Sequence, residues 1–242
     1  MNLRNLLALI VLVMVIGACS KSGNFGKSAS IKTELDTVSY ALGADVANSL
    51  QSRNGVDELD YAAFVRGMRE VFEGDEIMLD DTQRRDKIRT YLQNLAQQRN
   101  QENLEAGQEF LEKNRDKEGV QVTESGLQYK VIEEGTGVSP DANDTVRVHY
   151  VGQTIDGEVF DSSKEKGEPI EFPVNRVIPG WTEGLQLMKE GAKYELFIPA
   201  ELAYGSRAPR GGSIEPNEAL IFEVELIEVK AAEGTGQEEG QN

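Results

Sequence analysis

The sequence predicts an α+β protein: an all-α N-terminal region with a long linking helix, then an antiparallel sheet with one short helix laid on it. Three observations carry that reading. Apolar residues recur at steps of three and four between Thr37 and Phe72 and again from Asp81, the spacing of a helix face. Past Gly119-Val120 the period becomes two, as in L-Q-Y-K-V-I-E-E (127–134), T-V-R-V-H-Y-V (145–151) and L-I-F-E-V-E-L-I-E-V (220–229). In that second half only Thr182–Met188 has helical character.

Residues 1–18 read as a signal peptide. Arg4 supplies the positive start, and Leu6 to Ile16 form an apolar run shorter than the ~20 residues that span a bilayer. The ending Ile16-Gly17-Ala18-Cys19 resembles the bacterial lipobox, in which the signal is removed and the cysteine, here Cys19, becomes the lipidated N-terminus. Ser20, rather than Asp, follows it, which by resemblance to Gram-negative sorting rules favours an outer membrane. Residues 19–30, rich in Gly and Ser, form the expected flexible tether.

Residues 31–119 form the predicted helical region. One stripe passes through Tyr40, Ala44 and Ala47, with Leu42, Val46 and Leu50 beside it, and breaks at Asn54-Gly55. A second runs through Tyr61, Phe64, Val65, Met68, Val71 and Phe72 and stops at Gly74-Asp75. The third segment, Asp81 to Lys117, lacks proline and would span roughly 55 Å as one helix. Its stripe is clear at Ile88, Tyr91, Leu92 and Leu95, then thins to Leu104, Phe110 and Leu111. A helix polar nearly all round bridges domains or pairs with another chain. The region therefore reads as an oligomerisation and spacer module, with a homodimer expected; the alternative is a small monomeric bundle capping the sheet.

Residues 120–230 form the predicted sheet domain, its strands divided by turn signals at Asp156-Gly157, Pro179-Gly180 and Gly211-Gly212. The polar, Gly-rich residues 231–242 are expected to be a disordered tail.

Composition excludes several chemistries. Of 242 residues, 42 are acidic and 25 basic, a net charge of −17, so no nucleic-acid partner is expected. With one cysteine, Cys19, and one histidine, His149, the chain has no intrachain disulfide and no usual four-ligand zinc set. Neither G-x-S-x-G nor a Walker motif occurs. Binding, or catalysis by shape and hydrogen bonding, is what remains, with no cofactor expected.

The blocks V-H-Y-V-G (148–152), F-D-S-S (160–163), V-I-P-G-W (177–181), E-G-L (183–185), A-Y-G (203–205) and L-I-F-E-V-E-L (220–226) together resemble the FKBP-type peptidyl-prolyl cis-trans isomerases, in that family's order and spacing. The helical half and S-G-L-Q-Y-K-V-I (125–132) resemble its Mip-like, extracytoplasmic branch, whose members dimerise through an N-terminal helical domain. The resemblance implies a sheet wrapped on one short helix, proline-containing polypeptides as substrates, macrolide inhibitors and an extracytoplasmic enzyme, which the lipobox-like ending at Cys19 would tie to a membrane. It also accounts for the missing reactive groups. An X-Pro bond isomerises without any bond breaking, so what helps is an apolar slot for the prolyl ring and a few hydrogen bonds to the twisted amide. A non-catalytic chaperone using the same pocket and helical arms is the alternative.

By the same resemblance Asp161, Tyr204, Trp181 and Phe222 are the catalytic positions, with Trp181 as the pocket floor. Tyr150, Phe160, Val177, Ile178 and Ile214 are the substrate-binding positions, Ile214 in a loop overhanging the slot. The chain departs from the best-known members at Lys166, where they carry arginine, and at Ile170, where phenylalanine is frequent. His149 alternates with Tyr150 along its strand and is expected to pack or face solvent.

Overall fold

In the computed structural model, residues 30–209 and 213–232 are described. The signal peptide, Cys19, all but the last residue of the tether, and nearly all of the expected tail lie outside them. The chain divides into two compact units: residues up to Ala47 with Glu58–Ile77, and Asn48–Asp57 with everything from Met78 onward.

Helix α1 (Glu34–Asn54), as far as Ala47, and α2 (Tyr61–Glu73) supply the helices of the first unit. Local chemistry starts each of them. Asp36 accepts the Thr33 amide at 2.9 Å while Thr33 Oγ1 accepts the Asp36 amide at 3.1 Å. Asp60 accepts the amides of Ala62 and Ala63 at 2.9 and 3.0 Å. The helices end where Asn54-Gly55 and Gly74 predict. Among the described residues this unit has no buried core. No residue of α2 is buried, and Leu35, Tyr61 and Phe72 are 75%, 71% and 89% exposed.

The second unit begins with α3 (Asp81–Asn114), opened by a capping box between Asp80 and Gln83. At 34 residues it is about 51 Å long. It stops three residues before the expected Lys117. There Asn114, wholly buried, donates to Gln128 Oε1 at 2.9 Å, and Gln128 donates to the Leu111 carbonyl at 2.8 Å. Phe110 also meets Phe197 at 6.1 Å between ring centroids. The end of the helix is thus part of the sheet domain's packing.

The sheet is antiparallel throughout, formed by β1 (Val120–Val122), β2 (Gln128–Glu133), β3 (Thr145–Thr154), β4 (Val159–Ser162), β5 (Ile170–Pro173), β6 (Lys193–Ile198) and β7 (Leu220–Lys230). Its order is β1-β2-β6-β7-β3-β4, with β5 also paired to β3. Strands β2, β3 and β7 lie where the alternation predicts them; β1, β4 and β5, of three or four residues, are too short to show a period. Along β3 every second residue from Val146 is buried, as the sequence pattern requires. Two short helices accompany the sheet, α4 (Ser163–Lys166) and α5 (Pro179–Leu187). Helix α5 begins three residues before the expected Thr182, because Pro179 at its first position is already in helical φ. It lays Trp181 and Leu185 on a core that includes Leu196, Ile198, Leu220 and Val224.

Candidate functional site

Strand β3 and its neighbours carry a cluster of rings. Tyr150 from β3, Phe160 from β4 and Phe222 from β7 gather over Trp181 at the start of α5. Trp181 lies edge-on to Tyr150 at 5.3 Å and to Phe222 at 5.1 Å between centroids, and Phe160 meets Phe222 at 5.5 Å. Gly152 is what lets the edges of two of these rings approach the strand backbone. A Cβ there would stand 2.7 Å from both the Phe160 and the Phe222 ring.

These rings bound a cavity of about 590 Å³. Every site residue named from the sequence within the described residues lines it: Asp161, Tyr204, Trp181 and Phe222, and Tyr150, Phe160, Val177, Ile178 and Ile214. Val177 and Ile178 enter through the turn that starts α5, whose first residue after Ile178 is Pro179. Ile170 lines the cavity too, as do four residues outside the sequence motifs: Phe172, Arg176, Pro209 and Ser213. Phe172 lies two residues beyond Ile170 on β5, so period-two reading from Ile170 would have found it. Arg176, exposed beside Val177, carried no pattern of its own.

Asp161 and Tyr150 form the paired polar centre of the lining. Asp161 accepts a hydrogen bond from the Tyr150 hydroxyl and another from Lys166 Nζ at 2.6 Å. Burial alone would raise the Asp161 carboxyl, but the bonds from Lys166 and Tyr150 outweigh it and hold its pKa below the usual carboxylate range. Burial, then the bond to Asp161, pushes the Tyr150 phenol well above its ordinary pKa. Tyr204 is raised by burial and then by the Asp161 charge. Both phenols therefore keep their protons as donors. The lysine at position 166 does reach Asp161, through a single nitrogen where arginine would offer a fork.

Ser162-Ser163 does more than turn the chain. Ser162 caps α4 by accepting the Glu165 amide, and buried Ser163 accepts the Tyr150 amide at 2.8 Å. Its hydroxyl also meets His149 Nδ1 at 3.1 Å, so the histidine serves the packing of β3 on α4, away from the cavity lining. Within this lining the Trp181 Nε1 is buried and has no hydrogen-bond partner among the described residues.

Comparison with known proteins places both halves. Residues 137–227 match the model for the FKBP-type peptidyl-prolyl cis-trans isomerase, and residues 35–131 match the domain amino-terminal to it. The chain is 48% identical over 194 residues to the FKBP-type 22 kDa peptidyl-prolyl cis-trans isomerase of Escherichia coli, covering 79% of this chain and 93% of that one. It is 42% identical over 212 residues to the outer membrane protein MIP of Legionella longbeachae, covering 85% and 90%. The crystal structure of FkpA from Escherichia coli matches it with a TM-score of 0.67 at 37% identity, across 84% of this chain and 99% of that one. With its sheet domain, its helical region and relatives of nearly its own length all agreeing, the chain belongs to the FKBP-type peptidyl-prolyl cis-trans isomerases.

Proposed function

We propose that the ring-lined cavity is where this isomerase twists X-Pro bonds. The supporting observation is the joint placement of Tyr150, Phe160, Trp181 and Phe222 around one apolar slot, with Asp161 and Tyr204 among its polar groups. The barrier to be lowered is the loss of amide resonance, about 18–20 kcal/mol. An apolar slot lowers it by stripping water from the amide, since hydration favours the planar, more polar ground state. The prolyl ring rests on Trp181, with Val177, Phe160 and Phe222 as walls. The Ile178 amide and the Tyr204 hydroxyl hold the flanking carbonyls, and Asp161, held ionised, orients Tyr150 and the twisted amide. The same slot admits macrolide inhibitors, less tightly for having Lys166 and Ile170.

The exposed apolar faces of α1 and α2 favour a homodimer built through the helical region, with residues 31–119 as spacer and 120–230 as catalytic domain. The lipobox at Cys19 puts the mature chain on an extracytoplasmic membrane face, assisting the folding of proteins there. A protease-coupled assay on X-Pro peptides tests the activity, and a rate equal to the thermal one would leave a non-catalytic chaperone. Light scattering tests the dimer. Cys19→Ala should release the chain from membranes or leave it unprocessed; unchanged mass and location would remove the anchor.

A further inference from the structure

One face of α3 holds the loop that walls the slot. Arg99 and Asn103, one turn apart, both reach Glu215: Arg99 Nη1 stands 3.3 Å from its Oε1, and Asn103 Nδ2 donates to its Oε2 at 3.2 Å. Asn103 Nδ2 also donates to the Pro216 carbonyl at 3.1 Å, and Asn217 Nδ2 donates to the Asn100 carbonyl at 3.2 Å. Three consecutive loop residues are thus gripped by helix residues more than a hundred positions away. The approach is close: a Cβ on Gly107 would meet Ala219 Cβ at 3.0 Å. Asn217 sits at φ 62°, and its amide donates to the Gly205 carbonyl at 2.8 Å, so the loop turns back on the segment that carries Tyr204.

The residues just before this grip, Ser213 and Ile214, line the cavity. We infer that Arg99 and Asn103 are positioning residues for substrate binding: through Glu215 and Pro216 they set where the Ile214 wall stands over the slot. The same guanidinium reaches the other way, its Nη2 holding Asp57 at 2.5 Å in the segment between α1 and α2. Gly55 leaves it room, since a Cβ there would fall 2.3 Å from Nη1. One arginine therefore joins the α1–α2 connection to the pocket wall, and the long helix does more than hold the slot at a distance. The inference rests on the cavity being the isomerisation site. Its effect belongs in KM, because Ile214 contributes binding surface while Trp181, Tyr204 and Asp161 are left in place.

A double-mutant cycle in the full chain tests it, with Arg99→Gln, Glu215→Gln and their combination assayed on a short X-Pro peptide. Each single change should raise KM about three- to fivefold with kcat unchanged, and the double should be no worse than the worse single, because both break one pair. Raising salt should raise KM for the unmodified chain and leave the double variant unmoved, since the pair is partly exposed. A part that is merely structural would lower the melting temperature and leave KM and its salt dependence alone. KM within about 1.5-fold of the unmodified chain in both singles, or effects that simply multiply, would overturn the coupling. An unmodified chain without isomerase activity would instead overturn the reading of the slot, and this inference with it.

Discussion

Tyr150 donates its phenolic hydrogen to Asp161 across the β3–β4 pair, beside the point where Gly152 faces Asp161 in register. Among the described residues the carboxylate has one other side-chain donor, Lys166. Its pKa is lowered in the fold, so the stability it contributes is present above the ordinary carboxylate pKa of about 3.9 and lost as pH falls through its lowered value. Tyr150→Phe removes one donor, and that loss should set in at higher pH. Acid unfolding followed by the fluorescence of Trp181, the only tryptophan, should shift upward, with kcat/KM at neutral pH down about threefold. An unmoved acid midpoint would mean that Lys166 alone holds the carboxylate.

The end of α3 sets where the catalytic half can be cut. A fragment beginning at residue 120 loses Phe110 from Phe197 and both partners of Gln128. A fragment beginning at residue 95 keeps them, along with Arg99 and Asn103. Removing the Phe110 contact alone costs about 2 kcal/mol or more, so the shorter fragment should melt roughly 8 °C below the longer. Equal melting temperatures by calorimetry would show these contacts to be dispensable.

Glu218 offers the opposite sign. Burial raises its pKa, outweighing the hydrogen bond it accepts from the Glu215 amide at 2.8 Å, and the charges of Glu215, Asp156 and Glu158 add to the rise. A raised carboxyl contributes fully below its unfolded pKa and loses that contribution as pH climbs through the folded one, so at neutral pH its charge is a cost. Glu218→Gln keeps an acceptor for the amide and removes the charge. It should raise the melting temperature by about 1–3 °C at pH 7, the gain vanishing near pH 4. A gain that persists in acid would point away from the charge.

Gly152→Ala tests the ring arrangement directly. The new methyl would stand 2.7 Å from both Phe160 and Phe222, which must then move. Overpacking of this kind costs about 1–3 kcal/mol, and kcat/KM should fall about tenfold or more as the slot deforms. A variant with unmodified kinetics would show the walls to be adaptable.

Much of the site was legible because it lies in contiguous motifs. V-H-Y-V-G, F-D-S-S and V-I-P-G-W each hold a lining residue, and their joint order marked Tyr150, Phe160, Asp161, Val177, Ile178 and Trp181. Phe172 was missed because β5, four residues long, is recognisable as a strand only by its pairing with β3; the step of two from Ile170 counts only once that strand is known. Arg176 was missed because a surface arginine has no periodicity to betray it.

The sequence by itself determined the three long helices, the longer strands, the break at Gly119 and most of the residues around the slot, because periodicity and capping act over a few neighbouring positions. It also determined that α3 would be long, since no proline interrupts Asp81–Asn114. Only the tertiary structure decided what that helix touches. Arg99 and Glu215 are 116 residues apart, and each alone is an unremarked surface charge. Pairing at that distance arises from the way the sheet folds back on the helix, which depends on all of β1 to β7 at once. Likewise Gly152 looks like any strand glycine until the Phe160 and Phe222 rings, from two other strands, are laid across it.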